Sequence, residues 1–461
     1  MIYKRLKSEF NDSSDLIYKK INKVKVVYLE SLCSSDKINE YILKNIAYKK
    51  NYILLRDTIS APSVVYIEKY DTISFYLLNG YALVYDNKDI LVCEVKGELD
   101  RGIMIPSSES SVNGPKDSFT ENIVLNFGLI KRRIKSNKLI NKDYFIGRKT
   151  QTKVSLLYLS DIAKDEIIEK VDNKLNNIDI DGLIDIEILS QLIESNHKPL
   201  PTILKTERPD RVTNALLEGK IVIIADTSPY ALILPVYFAD FINPIGDKYV
   251  KAVNVNFLKV LRFICLILTV TLPAIYISII NYNPETIPLK LLLSFQAARS
   301  GVPFPSAFEG IFMLILCSIL READIRFPSS YGSSISIIGA LILGDAAVSA
   351  NIVSPIMIII VGITFITSLV FTNGEMIDSL RYYRLMFLFL SVILGLYGFI
   401  IASLLFILQL VSTESLNQPY LFPLSPFNKT YFFKTLLKDN KDKKRTEALS
   451  NNINKVKEWK K

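Results

Sequence analysis

The sequence has very few of the residues on which most catalytic and metal sites depend. Its 461 residues include one histidine, His197, and four cysteines. The cysteines show no Cys-x-x-Cys spacing and two of them lie in apolar runs, which indicates buried small side chains rather than disulfides or metal ligands. These counts argue against a histidine-based triad and against a zinc site.

Other signatures of enzymes are missing as well. We find no phosphate-binding glycine-rich loop, no nucleophile elbow and no paired catalytic carboxylates in the first 250 residues. The acidic string IDIDGLID lacks the ligand spacing and the closing Glu of a calcium-binding loop. The sequence therefore predicts a protein that is not an enzyme and that uses no metal or cofactor.

What the sequence does contain is a marked change of composition near residue 250. Residues 1–250 mix charged residues with short apolar stretches. Residues 257–412 hold repeated apolar runs close to the roughly 20 residues that cross a bilayer as a helix. We predict an α/β soluble N-terminal half of two lobes followed by an all-α multi-span membrane domain. The predicted divisions are two α/β lobes (1–110 and 111–250), a transmembrane helical domain (251–415) and a polar, lysine-rich tail (416–461).

The start of the chain and its net charge bear on where it resides. The first residues, MIYKRLKSEFNDSSD, contain no apolar core of the kind that a cleavable signal peptide requires. We therefore expect the soluble half to stay on the side of the membrane where it is made. The formal charge of +9 comes from lysines spread along the chain rather than clustered, which argues against nucleic-acid binding.

Local patterns predict several elements of the soluble half. Asn79-Gly80 interrupts a run of β-favouring residues and predicts a hairpin turn. Ser118 and Glu121 fit a capping box that would begin a helix reaching about residue 136. The string RPDRVTNALLEGK predicts a helix with Gly219 as its C-cap, and KIVIIADTSPYALILPVYF predicts two buried strands.

Five apolar segments of the second half are candidate membrane elements: 257–280, 302–320, 335–350, 351–371 and 383–411. Basic residues before the first segment and in the tail both favour the cytosol, which requires an even number of crossings. We therefore predict that 335–350, which is short and rich in Gly and Ser, is re-entrant. The separate segment 288–300 carries two basic residues and is predicted to lie in the interface.

Two acidic residues fall inside these runs. Glu309 has two interpretations: a role in ion flux, or a packing pair with an arginine such as Arg299 or Arg321. Asp345, in the string GALILGDAAVSANIVSP, lies either at a hairpin turn near the bilayer edge or at a pore mouth, where it would attract cations. An alternating-sign cluster nearby indicates an interfacial ion-pair network that holds subunits together: Arg321, Glu322, Asp324 and Arg326.

Polar side chains also follow one side of segment 351–371. A thin polar stripe with apolar constrictions suits a pore that is closed by dewetting. The alternative is that Ser and Thr only let neighbouring helices approach and hydrogen-bond. At 100° per residue the polar positions share one side with three apolar ones between them: Asn351, Ser354, Thr364 and Ser368, with Ile358, Val361 and Phe365.

Long strings of the sequence resemble a known family. They are FTENIVLNFGLIKRRIKSNKLI, DGLIDIEILSQLIE, NPETIPLKLLLSFQAARSGVPFPSAFE, LREADIRFPSSYGSSISIIGALILGDAAVSANIVSPIM and PYLFPLSPF. Together they resemble the A-subunit family of bacterial spore germinant receptors, the GerA type. The match runs from Asn113 to Phe427 and covers both halves in order, whereas the first hundred residues match weakly.

The resemblance implies a nutrient receptor in the inner membrane of the dormant spore, with the soluble half facing the cytosol or spore core. It implies action together with a transporter-like B subunit, which forms the nutrient pocket, and a lipoprotein C subunit. It further implies that the A subunit assembles into an oligomeric cation-conducting pore. We therefore expect self-association, contacts with both partners and with membrane lipid, and no binding of nucleic acid.

Two other functions remain open from the residues alone. A secondary transporter also has broken helices and acids near the bilayer midplane, although no second half of this sequence repeats the first. A scaffold without conduction of its own would dock the B and C subunits through the α/β lobes.

Overall fold

The computed structural model of the chain describes residues 2–10, 16–30, 32–48, 55–67, 70–86, 89–97, 105–106, 108–109, 113–194, 198–326, 344–429 and 431–432. The chain divides into two compact units, Met1–Arg101 and Gly102–Lys461. The lone histidine, His197, lies outside the described residues.

The first unit is a five-stranded antiparallel sheet with a hydrophobic cluster on each face. The strand order is β1-β2-β4-β5-β3. Side chains alternate along β2, so Val24 and Val26 pack beside the helical segment 35–48, while Val27 packs with Leu6 and Leu77 on the other face. The elements are α1 (Ile2–Glu9), β1 (Leu16–Ile21), β2 (Val24–Leu29), α2 (Ser35–Ile38), a π-helical turn (Asn39–Leu43), α3 (Lys44–Tyr48), a 3₁₀ turn (Leu55–Thr58), β3 (Val64–Tyr66), a 3₁₀ turn (Tyr70–Thr72), α4 (Ile73–Leu78), β4 (Tyr81–Tyr85) and β5 (Ile90–Glu94).

The hairpin predicted at Asn79-Gly80 is wrong. The residues before it form α4 rather than a strand, and Asn79 is the C-cap of that helix. The segment ISFYLL is short and apolar, and such runs do not distinguish a helical turn from a strand by periodicity. The chain reverses between β4 and β5 instead, where Tyr85 pairs with Ile90.

The second unit begins with another five-stranded antiparallel sheet, which with its helices forms what we call the second lobe. The strand order is β6-β7-β9-β10-β8. Every residue of β9 is buried because helices cover both faces of the sheet: Val222 and Ile224 face α5 and α8, whereas Ile221 and Ile223 face α6 and α7. The elements are α5 (Ile123–Arg133), β6 (Leu139–Ile146), β7 (Thr152–Leu159), α6 (Asp165–Asn176), α7 (Ile186–Ile193), β8 (Leu204–Thr206), α8 (Pro209–Glu218), β9 (Ile221–Ala225), β10 (Ala231–Leu234), α9 (Phe238–Ile242) and a 3₁₀ turn (Ile245–Tyr249).

The two sheets confirm the α/β prediction for the N-terminal half, and Gly219 is the C-cap of α8 as predicted. The capping box predicted from Ser118 and Glu121 is wrong. The N-cap is Asn122, whose side chain accepts hydrogen bonds from the backbone N–H groups of Val124 and Leu125.

The rest of the second unit is helical. Its elements are α10 (Ala252–Tyr282), a 3₁₀ turn (Pro284–Thr286), α11 (Leu289–Arg299), α12 (Ser306–Arg326), α13 (344–349), α14 (Pro355–Ser368), α15 (Gly374–Leu394), α16 (Leu396–Val411), β11 (Glu414–Ser415) and β12 (Gln418–Pro419). The 31-residue α10 lies at the centre and packs against α12, α14, α15 and α16. Among the described residues it is the one helix long and apolar enough to cross a membrane, and α14 and α16 are shorter apolar helices.

The predicted continuous span 383–411 is wrong because the chain reverses inside it. Gly395 ends α15 with a φ of +58°, and α16 begins at the next residue. The two helices pack against each other, since the ring of Phe387 lies 5.6 Å from Phe399 and 6.1 Å from Phe406, centroid to centroid. Glycine is suited to this turn because a Cβ on Gly395 would lie 2.7 Å from the ring of Tyr282.

The segment after α16 returns to the second lobe. Ser415 donates a hydrogen bond to the carbonyl oxygen of Thr202 (2.7 Å) and accepts one from the backbone N–H of Val236 (3.1 Å). Tyr420 is fully buried, with its ring against Phe238 and Phe241. The helical half therefore leaves the second lobe at α10 and comes back to it after α16.

Candidate functional site

The buried acid Glu309 joins three segments at the end of the helical half that lies away from the second lobe. It lies in the first turn of α12, and none of its surface is exposed. Its Oε2 accepts hydrogen bonds from the backbone N–H and the hydroxyl of Ser354, at 2.8 and 2.6 Å. Its Oε1 lies 3.3 Å from a guanidinium nitrogen of Arg299, at the end of α11. A single carboxyl group thus connects α11, α12 and the start of α14.

The local sequence explains how these three segments meet. Ser354 is the N-cap of α14 and is followed by Pro355, which suits the first helical position. Asn351 turns the chain just before, with a φ of +52° that asparagine tolerates better than most residues. At the start of α12, Ser306 donates a 2.5 Å hydrogen bond to the side-chain oxygen of Asn281, near the end of α10.

The structure therefore provides the arginine partner that one interpretation of Glu309 required, and it is Arg299. The guanidinium compensates the charge of the carboxylate and Ser354 donates two hydrogen bonds to Oε2, whereas Oε1 accepts no hydrogen bond from the described residues. Removal of either charge leaves the other without its partner. The involvement of Glu309 in ion flux stays a prediction.

The polar stripe predicted on segment 351–371 lies mostly inside the chain. Four of its members are buried (Ser354, Val361, Thr364 and Ser368), Ile358 and Phe365 are half-buried, and Asn351 is exposed. Val361 packs with Ile277 of α10 and Met313 of α12. On the same side of α14, Thr367 and Thr269 of α10 lie 2.9 Å apart, hydroxyl to hydroxyl. These contacts are those that the packing interpretation expects, and the pore-lining function stays a prediction.

The other charged candidates lie on the surface or beside a cavity. Asp345 is exposed on α13. Arg326 and Glu322 form an exposed pair one turn apart on α12, 2.7 Å between nitrogen and oxygen, while the side chain of Asp324 lies outside the described residues. Arg321 is half-buried and faces the space between α12 and α15. Their function in subunit contacts stays a prediction.

Sequence reasoning missed the ion pairs that fasten the second lobe to the helices. Arg262 of α10 forms a bidentate pair with Asp247, at 2.6 and 2.9 Å, and both side chains are largely buried. Lys205 of β8 pairs with Glu187 of the lobe and with Glu375 in the first turn of α15. Burial opposes the charge of Lys205, but the two carboxylates outweigh it and raise the pKa of Lys205. The signal was present in the sequence as a charged Arg262 inside an apolar run.

A buried ion-pair network lies at the base of the second lobe, beside these pairs. Arg208 is 2% exposed and forms a bidentate pair with Asp210, at 2.8 and 3.0 Å. Arg211 pairs with Glu109 at 2.9 Å. Burial opposes ionisation of Asp210, but hydrogen bonds from Arg208 and from the hydroxyl of Tyr249 outweigh it and hold the pKa of Asp210 below its usual value.

A cavity of about 260 Å³ opens beside this network, lined by Glu109, Arg208, Arg211, Asp247, Arg262 and Thr372 among others. It lies where the lobe, the start of α10 and the connection from α14 to α15 meet. Each charged side chain that lines the cavity belongs to one of the ion pairs described above, and these pairs hold the elements together. The described residues contain no group of three or more potential ligands that could hold a metal ion.

Comparison with known proteins gives the chain its relatives. The family described as "Bacillus/Clostridium GerA spore germination protein" matches residues 4–448. Spore germination protein KA of Bacillus subtilis (strain 168) is 33% identical over 439 residues, which cover 92% of this chain and 81% of that protein. Spore germination protein GerLA of Bacillus cereus is 31% identical over 441 residues, 92% of this chain and 90% of that one.

A solved structure also matches part of the chain. It is the N-terminal domain of the A subunit of the Bacillus megaterium spore germinant receptor GerK3, with 28% identity and a TM-score of 0.23, covering 51% of this chain and 94% of that one. The family match extends over nearly the whole sequence and includes both the α/β half and the helices. The chain belongs to the GerA family of spore germination proteins of Bacillus and Clostridium.

Proposed function

We propose that this chain is the A subunit of a nutrient-sensing germinant receptor and that it oligomerises into a nutrient-gated cation channel in the spore inner membrane. The observation that carries the proposal is the family match over residues 4–448, together with relatives named as spore germination proteins. In this proposal the chain is not an enzyme, and it acts with a transporter-like B subunit and a lipoprotein C subunit.

The surface of the helical half supports insertion of several helices into the membrane. Large apolar side chains are exposed along α10, α15 and α16. Their exposure to water would be unfavourable, whereas contact with lipid would not. Examples are Phe257, Phe263, Phe389, Leu404 and Leu408. Since the chain leaves the second lobe at α10 and returns to it after α16, both ends of the helical half lie on the lobe side. This favours an even number of crossings, with the lobe on the cytosolic side, since Lys251 precedes the apolar run and Lys259 lies in its first turn.

The contacts described above also suggest how a signal would travel. A shift of the second lobe acts on α10 through Asp247 and Arg262, and on α15 through Lys205 and Glu375. At the far end, Glu309 links α12 to α14. Charged pairs with two alternative arrangements are a physical basis for such coupling. The alternative function, a scaffold that docks the B subunit without conducting, uses the same contacts and is distinguished by the leak experiment below.

The exposed side of α14 is the side that a pore would use. A side chain lining a water-filled pore must be accessible in a single chain before it meets its neighbours. Ile359, Ile363 and Ile366 meet this condition, with 59, 40 and 66% of their surface exposed, whereas Val361 is 1% exposed. We therefore assign the apolar constriction to these isoleucines, since apolar constrictions close pores by dewetting.

The matched pair Ile363→Ser and Val361→Ser tests this assignment. Ile363→Ser is expected to give a cation leak without nutrient at a normal protein level, because it wets the constriction. Val361→Ser is expected to lower the level of the complex, because a buried serine loses packing and costs about 1–3 kcal/mol if its hydroxyl is left unpaired. The measurements are potassium release from unstimulated spores and immunoblots of the same spores.

Other results for these two variants would support a different assignment of the pore wall. A leak from Val361→Ser at normal protein level would restore the polar stripe as the pore wall. Normal protein with no leak from either variant would remove α14 from the pore and favour the scaffold.

A further inference from the structure

An arginine without an ion-pair partner among the described residues lies inside the helical half, apart from the site at Glu309. Arg384 of α15 is 7% exposed, and its buried Nε has no hydrogen-bond partner. Among the described residues it forms no ion pair with a carboxylate. A buried guanidinium without a counter-charge is costly, so its charge requires a partner.

Two more arginines adjoin the same place. Arg384, Arg321 of α12 and Arg381 of α15 all line a small cavity between α10, α12, α14 and α15. The positive charges of Arg381 and Arg321 act on Arg384 and make its burial still less favourable. The nearby carboxylate of Asp378 pairs with Arg381 at 3.3 Å, but it is 67% exposed and does not line the cavity.

The other residues of the cavity wall indicate that the counter-charge of Arg384 is a bound anion. No acidic side chain occurs among its described lining residues. The hydroxyls of Ser318 and Ser368 already donate to backbone carbonyl oxygens of their own helices, at 2.8 and 2.6 Å. The Nε of Arg384 is therefore the donor of this wall that lacks a partner among the described residues, and guanidinium donors bind anions.

The size of the cavity restricts the anion further. Its volume is about 10 Å³, which is room for one small species about the size of a water molecule and favours a compact anion over a branched one. We propose that this cavity is a binding site for a single small inorganic anion of the chloride type, held mainly by Arg384 and supported by Arg321 and Arg381. The bound anion compensates the buried charge of Arg384 and thereby ties α15 to α12 and α14.

The experiment uses the full-length chain, purified with its receptor partners and placed in nanodiscs of neutral phosphatidylcholine. Sodium chloride replaces sodium gluconate at constant ionic strength while the melting temperature is recorded. We expect a saturable rise of several degrees, because a ligand that binds only the folded state stabilises it. Chlorine-35 NMR line broadening by the same sample, reversed by bromide, is expected as a direct signal of binding.

Two variants separate the site from general salt effects. Arg384→Met removes the buried charge: it is expected to abolish the chloride response and to be at least as stable as the wild type in gluconate. Arg326→Gln removes an exposed arginine at the end of α12, the helix that carries Arg321, and is expected to keep the full response. Should Arg384→Met not fold, the NMR signal of the wild-type protein still decides the matter.

Three results would overturn the proposal. They are a melting temperature independent of chloride with no NMR broadening, an undiminished response in folded Arg384→Met, and stabilisation that follows phosphatidylglycerol in the nanodisc rather than chloride. The last result would identify a lipid phosphate as the counter-charge. None of these measurements depends on whether the helices conduct ions.

Discussion

Spores carrying Glu309→Gln are expected to lose nutrient-triggered potassium release and germination. Glutamine keeps the shape of the side chain, and its oxygen still accepts from the N–H and hydroxyl of Ser354. It removes the negative charge, however, and leaves the guanidinium of Arg299, whose side chain is 22% exposed, without its partner. Breaking a largely buried ion pair in this way costs about 3–5 kcal/mol, which is enough to release α11 from α12.

The companion variants make the result interpretable. Arg299→Gln in the Glu309→Gln background removes both charges and is expected to recover protein level, because no charge is then buried alone. Glu322→Gln, in an exposed pair of the same helix, is expected to behave as the wild type. The measurements are potassium and dipicolinate release against nutrient dose, with immunoblots. Normal release rates at the normal dose in Glu309→Gln spores would show that the pair is unimportant.

Replacement of Gly398 by alanine is expected to disrupt the α15–α16 hairpin. A Cβ at this position would lie 2.0 Å from the carbonyl oxygen of Leu390 and 3.0 Å from the Cβ of Leu394. The first contact is closer than atoms allow and is to backbone, which cannot rotate away, and the second is tight. We expect a loss of stability at or above the upper end of the usual 1–3 kcal/mol for overpacking, and therefore little folded protein in the membrane.

The control is Gly362→Ala in α14. No atom would lie within 4 Å of the added Cβ, so this change is expected to be neutral or to stabilise the helix by about 0.5–1 kcal/mol. Melting temperature and detergent-extracted yield, compared for the two variants, test the hairpin directly. A Gly398→Ala protein with the yield and melting temperature of the wild type would mean that α15 and α16 do not meet in this way.

Local patterns predicted the elements whose sequence signals are strong. The buried strand β9 and the C-cap Gly219 follow from an apolar run and a glycine at the end of an amphipathic helix. The reversal at Gly395 could not be predicted, because the residues on both sides are equally apolar. Only the close contact between the two helices, with Phe387 against Phe399, shows where the chain turns.

The candidate site, too, could be predicted only in part from the sequence. The sequence identified Glu309 and offered Arg299 or Arg321 as partners, but it could not choose between them. Arg321 lies twelve residues further along the same helix, about 18 Å away along the axis, and therefore cannot reach. The face of α14 was also ambiguous, because Ser and Thr suit a pore wall and a helix contact equally well. Arg384 was overlooked, although a charge inside an apolar run is itself a signal.

The most direct test of the central claim is a single-channel recording. The purified chain, assembled with its B and C partners, would be fused into planar bilayers with potassium on both sides. We predict discrete cation currents that appear on addition of nutrient and are absent from the Glu309→Gln assembly. An assembly that is folded, oligomeric and nutrient-binding yet gives no current above the protein-free bilayer would contradict the channel and leave the chain a scaffold.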